Sequence, residues 1–195
     1  MMASLLLPLA LLLSSPFLTS SQCPDFPFLR SDFIASGSFR EDRLVGFFTE
    51  QYYYDIAQIG ASCQTLNVTT SSSSTTTPTI SMAFSVKYGP IPFTINEIYS
   101  PLTNSPLPGL FNKKVDMPGG KYLTIPTVIL DVAEDYSTMS LYSCLELPGE
   151  NAIKELVIAT LDPNPPQETL TKLLNSALAL VETLKEEDIK STTPC

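Results

Sequence analysis

The sequence contains no histidine and no tryptophan. Without histidine there is no imidazole, the usual metal ligand and the side chain that titrates near neutral pH. Nucleophilic catalysis of the Ser-His-Asp and Cys-His kinds is excluded on the same ground. No Cys-x-x-Cys pair is present to hold zinc through thiolates, so no metal site is expected. Basic residues are scarce: 11 Lys and Arg stand against 20 Asp and Glu, giving a formal net charge of −9. Such a chain has no basic patch with which to displace counterions, which argues against nucleic acid as a partner. Long apolar runs are also lacking. The best of them, Leu5 to Leu13, is interrupted by Pro8 and falls well short of the ~20 residues a membrane span needs.

That run reads instead as the apolar part of a secretory signal over residues 1–21. Thr19-Ser20-Ser21 supplies small residues before a cut near Gln22, although the first residues carry no Lys or Arg. A single domain over 22–195, secreted and extracellular, is the expectation. In an oxidising compartment the four cysteines, Cys23, Cys63, Cys144 and Cys195, imply two disulfides in one of three connectivities, with buried free thiols as the alternative. Asn67-Val68-Thr69 is an N-glycosylation sequon that fits the same compartment.

Residues 23–45 read as an N-terminal arm. Pro27 and Gly37 argue against regular structure there, and a short helix is expected only around Phe39 to Leu44, capped by Ser38. Eight strands follow. The first is expected from Phe48 to Ile59 and the second from Ser62 to Thr70. The polar tract Ser71 to Thr77 then makes a hairpin tip, with an O-glycosylated linker as the other reading. Thr79 to Tyr88 alternates most clearly: Ile80, Met82, Phe84, Val86 and Tyr88 share one face. Ile91, Phe93, Ile95 and Tyr99 form the face of the fourth strand, with Pro92 marking an edge or bulge. A loop containing Pro101, Pro106, Pro108 and Gly109 precedes a weaker fifth strand, Leu110 to Met117. After the Pro118-Gly119-Gly120 turn come Tyr122 to Val132, Ser137 to Leu147 and Ala152 to Leu161.

A helix closes the pattern, with Asn164 as its cap and Pro165 at its first position. Leu170, Leu173, Leu174, Ala177, Leu180, Val181 and Leu184 make one apolar stripe. The polar face is not basic, so the stripe belongs against the protein body rather than a membrane surface. Eight short strands joined by turns suggest an up-and-down barrel or a sandwich.

Three blocks carry a resemblance. Gly46-Phe47-Phe48 begins the stretch GFFTEQYYYDIAQIGASC, which ends at Cys63. Val128 to Asp131 leads through Glu134-Asp135-Tyr136 to Tyr142-Ser143-Cys144. Asp162-Pro163-Asn164-Pro165-Pro166-Gln167-Glu168-Thr169-Leu170 opens the helix. Together they resemble the three conserved blocks of the lipocalin family, in its apolipoprotein D, bilin-binding and crustacyanin-like branch. Two departures stand out. Phe48 occupies the place of the first block's Trp, and Thr160 or Leu161 that of the third block's Arg. In the family these two stack under the barrel floor, a cation–π contact. Their joint loss leaves Gly46 and Phe48 to form the floor.

The resemblance implies an all-β fold: an eight-stranded antiparallel up-and-down β-barrel with one C-terminal α-helix packed on the outside. It also implies the bonds Cys23–Cys144 and Cys63–Cys195, each contributing on the order of 4 kcal/mol, and a secreted carrier of a small hydrophobic ligand. That ligand could be a lipid, retinoid, carotenoid, bilin or sterol, with no further cofactor. The expected lining is Tyr54, Ile80, Met82, Phe84, Val86, Tyr88, Phe93, Ile95, Tyr99, Tyr122, Met139 and Leu141, with the phenols of Tyr54, Tyr88, Tyr99 and Tyr122 free to bond a polar ligand end. The alternatives are plain core, an enzyme acting on a bound lipid or pigment, and a defence or interaction protein using its loops, foremost 100–109. Receptor contact or a homo-oligomer would then be built on those loops. Against an enzyme, the carboxylates Asp55, Glu97 and Glu134 read as solvated rim groups.

Overall fold

The computed structural model describes residues 23–71, 79–102, 107–117 and 119–195. The expected signal peptide, the polar tract beyond Ser71, Pro106 and Pro118 lie outside the described residues.

Eight antiparallel strands carry the fold: β1 (Gly46–Tyr54), β2 (Ser62–Ser71), β3 (Thr79–Tyr88), β4 (Ile91–Pro101), β5 (Leu110–Met117), β6 (Lys121–Val132), β7 (Thr138–Leu145) and β8 (Ile153–Thr160). Each pairs with the next, and β8 returns to pair with β1. The sheet is therefore a closed barrel, the arrangement that leaves no long unpaired edge. Side-chain alternation then sorts two apolar clusters. Leu66, Val68, Ile80, Met82, Phe84, Val86, Met139 and Leu141 belong to the inside cluster. Val128, Leu130, Tyr142, Leu156 and Ile158 face outward and pack with Leu174 and Ala177 of the helix α2 (Gln167–Leu180). Among the described residues no helix is long and apolar enough to cross a membrane.

The helix begins later than expected. Asn164 precedes Pro165, and Pro165 precedes Pro166; a residue before proline is pushed out of the α region. Pro166 therefore holds the N-cap position. Val181 and Leu184 lie past the helix end yet complete its buried stripe. The first strand is shorter than expected, ending at Tyr54. The Asp55 carboxylate accepts the Ala57 N–H at 2.8 Å and turns Ile56–Gln58 into a 3-10 helix. The seventh strand stops at Leu145, before Pro148.

The N-terminal arm is more regular than expected. Pro27 starts the 3-10 helix Phe26–Leu29, where a fixed φ is an advantage, and a one-turn helix α1 (Asp32–Ala35) follows. The helix expected over Phe39 to Leu44 is only the 3-10 turn Glu41–Arg43, and no side chain caps it. The arm lies tightly on the barrel. A Cβ on Gly109, whose φ is +79°, would stand 2.8 Å from Ile34 Cγ2; one on Gly46, at φ +140°, would stand 2.8 Å from Leu161 Cδ2.

Both disulfides join the partners that the resemblance implies, Cys23 with Cys144 and Cys63 with Cys195. The second anchors the C-terminal tail, whose two-residue strand β9 (Lys190–Ser191) pairs with β1 at Tyr52 and Tyr53. β1 pairs with β2 only from Gly46 to Thr49, so the tail occupies the edge of β1 that β2 has left.

Candidate functional site: the barrel interior

The arm closes the end of the barrel at which β1 starts. Ile34, Phe39 and Leu44 enter the inside cluster there beside Phe48, Val132 and Tyr136. A cation–π contact does exist at this end, built from other residues than the missing pair: the Arg43 guanidinium lies 4.4 Å from the centre of the Tyr136 ring. Phe39 stacks on the same ring, and the Tyr136 hydroxyl accepts the Arg40 N–H at 2.7 Å. The turn Ile56–Gln58 sits at the opposite, open end. Tyr88 reaches it, its hydroxyl donating to the Ala57 carbonyl, and ties the β1–β2 connection to β3.

Most of the expected lining shares the inner face. Ile80, Met82, Phe84, Val86, Tyr99, Met139 and Leu141 are buried there. Ile95 is half-buried on the same face of β4, opposite Phe84. Tyr88 and Phe93 follow the inward alternation but stand at the open end, 37% and 49% exposed.

Two expected residues are outside the barrel. The β1–β8 register shifts between Glu50 and Tyr52, and a one-residue slip reverses every later side chain. Tyr53, paired with inward Val157, thus points inward in place of Tyr54, which packs with the outer cluster. Tyr122 pairs with Asp116 on outward positions, 62% exposed, with the Lys114 ammonium 4.3 Å from its ring centre.

The larger correction concerns charge. Glu97, expected at the rim, is buried inside, whereas Glu134 is exposed in the β6–β7 turn, as expected, and Asp55 caps its turn at the open end. Glu97 is part of a polar network. The Lys113 ammonium lies 3.5 Å from its Oε1 and also bonds Glu155, and the Tyr99 hydroxyl donates to Glu97 Oε2 at 2.6 Å. Glu50 and Gln64 are buried too, inward in phase with Phe48 and Leu66. Gln58 donates from Nε2 to Glu50 Oε1 at 3.3 Å. Strand alternation could have found Glu97, which is in phase with Ile95 and Tyr99, and Glu155, in phase with Val157 and Ala159.

These surroundings move the acidities. Burial works against the Lys113 ammonium, but Glu155 and Glu97 more than offset it and raise its pKa. Burial raises Glu97, with Lys113 opposing. Burial pushes the Glu50 carboxyl well above its ordinary value of 4.5; the Gln58 hydrogen bond opposes, and Glu155, Asp55 and Glu97 add to the rise. Glu50 is thus ionised in the unfolded chain and neutral in the fold just above pH 4.5. Stability is lost on this account as pH rises from there through the folded-state pKa. Glu50→Gln is therefore expected to leave the unfolding free energy unchanged near pH 4 and to raise it by about 1 kcal/mol or more at pH 8. Urea midpoints at the two pH values measure this; an equal effect at both would mean that Glu50 ionises freely in the fold.

A cavity of about 890 Å³ lies along the seam between β1, β2 and the tail. Outward Phe47, Thr65 and Ser85 line it, and Glu50, Gln64 and Val86 of the same strands border it. The tail borders it. The Thr192 N–H donates to the Gln51 carbonyl at 3.0 Å, and the Thr192 hydroxyl donates to that of Glu50 at 2.7 Å.

No family model matches this chain, and no curated protein sequence matches it. Solved structures do. Insecticyanin from the tobacco hornworm Manduca sexta is similar at TM-score 0.66 and 12% identity, over 87% of this chain and 85% of that one. The bovine lipocalin allergen Bos d 2 is similar at TM-score 0.55 and 14% identity, over 78% of this chain and 94% of that one. A complex of LTBP1 with LTC4 gives TM-score 0.54 at 12% identity, over 89% and 95%. At these identities the likeness is one of fold: a closed eight-stranded antiparallel barrel with one C-terminal helix, the lipocalin fold.

Proposed function

We propose that this protein is a secreted carrier that holds one small, largely apolar molecule inside its barrel, as a member of the crustacyanin-like and bilin-binding branch of lipocalins. An eight-stranded barrel has an interior just wide enough to be filled by side chains or to hold one small ligand. Among its structural neighbours, LTBP1 is seen in complex with LTC4, and another is an odorant-binding protein. The observation that carries the reading is the composition of the interior. Phe48, Leu66, Ile80, Met82 and Met139 offer apolar surface below, while buried Glu50, Gln58 and Gln64 keep polar atoms without a partner. A solid core built this way would be costly, at ~1–3 kcal/mol for each buried unpaired group. Secretion is supported by the signal-like residues 1–21 and the two disulfides, and glycosylation by the exposure of Asn67 on the outer wall of β2.

A neutral apolar dye, N-phenyl-1-naphthylamine, tests the reading by fluorescence titration. One saturable site is expected. Phe84→Ser, a polar change on the inner wall, should weaken that site roughly tenfold, about 1.4 kcal/mol. Thr94→Ser, on the outer wall, should leave it unchanged. Equal effects at the two positions, with circular dichroism unchanged, would place the dye outside the barrel.

A further inference from the structure

The carboxylates inside the barrel outnumber the cations that could balance them. Among the described residues Lys113 is the one buried cation, and it is already engaged with Glu97 and Glu155. Glu50 has no counter-charge. Its side chain is fully buried, Oε1 is held by Gln58, and Oε2 has no partner. Gln64 is buried to the same degree, and neither its amide nitrogen nor its oxygen is bonded. Glu50 and Gln64 are the residues next to the last β1–β2 pair, Thr49 with Thr65, and both border the same cavity. Gln58, above them, leaves its own Oε1 unbonded. The unpartnered atoms are thus three that accept, Glu50 Oε2 and the amide oxygens of Gln58 and Gln64, and one that donates, the Gln64 amide nitrogen. A ligand group that satisfies the three acceptors must bring hydrogen-bond donors, and beside a carboxyl without a counter-charge positive charge serves best. A metal ion is the poorer fit, because among the described residues no three Cys, Asp or Glu side chains converge as ligands.

We propose that the ligand carries a protonated amine on an apolar body, and that Glu50, with Gln58 and Gln64, binds the amine while the apolar wall at Phe84 and Val86 takes the rest. This rests on the carrier reading and adds the ligand's chemical class. The groups facing Glu50 are Asp55, Glu97 and Glu155, all acidic, with Lys113 as the cation and Tyr53 and Tyr99 as the phenols. Burial raises the pKa of the empty Glu50 carboxyl, and a bound ammonium ion lowers it again. An ammonium ion that meets the protonated carboxyl displaces its proton to the solvent, leaving an ammonium–carboxylate pair. Where the empty carboxyl holds its proton, binding releases it and strengthens as pH rises through the raised pKa of that carboxyl.

The test is competition against N-phenyl-1-naphthylamine at pH 7.5 with two matched pairs, 2-phenylethylamine against 2-phenylethanol and dodecylamine against dodecanol. In at least one pair the amine should displace the dye at a tenfold lower concentration than its alcohol; which pair does so separates a compact aromatic amine from a long-chain one. Glu50→Gln should abolish the preference while leaving the alcohols' displacement unchanged. Calorimetry in two buffers of different ionisation enthalpy should find protons released on amine binding by the native protein, fewer as the pH is raised, and none by the variant. Amines and alcohols displacing the dye equally would overturn the amine assignment and leave the carrier reading standing, as would a preference that survives Glu50→Gln. Failure of the dye and all four compounds to bind would overturn both.

Discussion

Replacing Cys63 and Cys195 together by serine is expected to cost about 4 kcal/mol of stability, seen as a lower guanidinium midpoint with the fold otherwise retained. The bridge closes a sequence separation of 132 residues. Cys23–Cys144 shares part of that loop and shortens it in the unfolded chain, but the dependence is logarithmic and the loss shrinks little. The folded state has its own reason to need the bond. β2 leaves β1 after Thr49, and the tail takes over that edge through Thr192 and Thr193, which bond Gln51 and Cys63. Untied, the tail is held by few hydrogen bonds and should exchange its amide hydrogens first. A cost below about 1 kcal/mol, with Thr192 still protected, would show that the strand pairing alone holds the tail.

Phe48→Ala should cost about 3–5 kcal/mol, the usual range for a buried phenylalanine. Its ring is fully buried, opposite Leu66, in the cluster that the arm covers with Ile34, Phe39 and Leu44. The arm and the barrel meet with little slack, since even a methyl group on Gly109 would strike Ile34. A cavity there has little prospect of collapsing, which places the cost in the upper part of that range. The Arg43–Tyr136 pair does not compensate, because it lies on the arm's side with Arg43 exposed. Chemical denaturation of the single variant measures this. A loss under about 1 kcal/mol would put Phe48 outside the floor.

Much of this fold is readable from residue order because period two is a local property. Thr79–Tyr88 and Leu110–Met117 have the expected bounds, and Ile80 through Val86 share the expected face. The misplacements arise where a non-local contact intervenes. Tyr54 lost its inward place because β1 is bulged where it meets β8, a shift that no run of aromatic residues announces. Tyr122 alternates out of phase with Leu123 and Ile125, and that phase alone puts it outside the expected lining. The interior charges were missed for another reason. Glu97 and Lys113 lie sixteen residues apart, and buried charge reads as surface until the pairing of β4 with β5 brings the two together. The cation–π contact at the closed end was hidden because Arg43 and Tyr136 belong to segments that only barrel closure makes neighbours.

The claim that the interior is a binding chamber is tested most directly with methyl-labelled methionine. Met82 and Met139 are buried inside the barrel, and Met117 stands exposed at the open end. On adding N-phenyl-1-naphthylamine, the Met82 and Met139 methyl resonances should shift in proportion to the bound fraction, with contacts from the dye protons to both methyls. Saturable binding that leaves both resonances unmoved would contradict the account and place the ligand in the outer groove beside the tail.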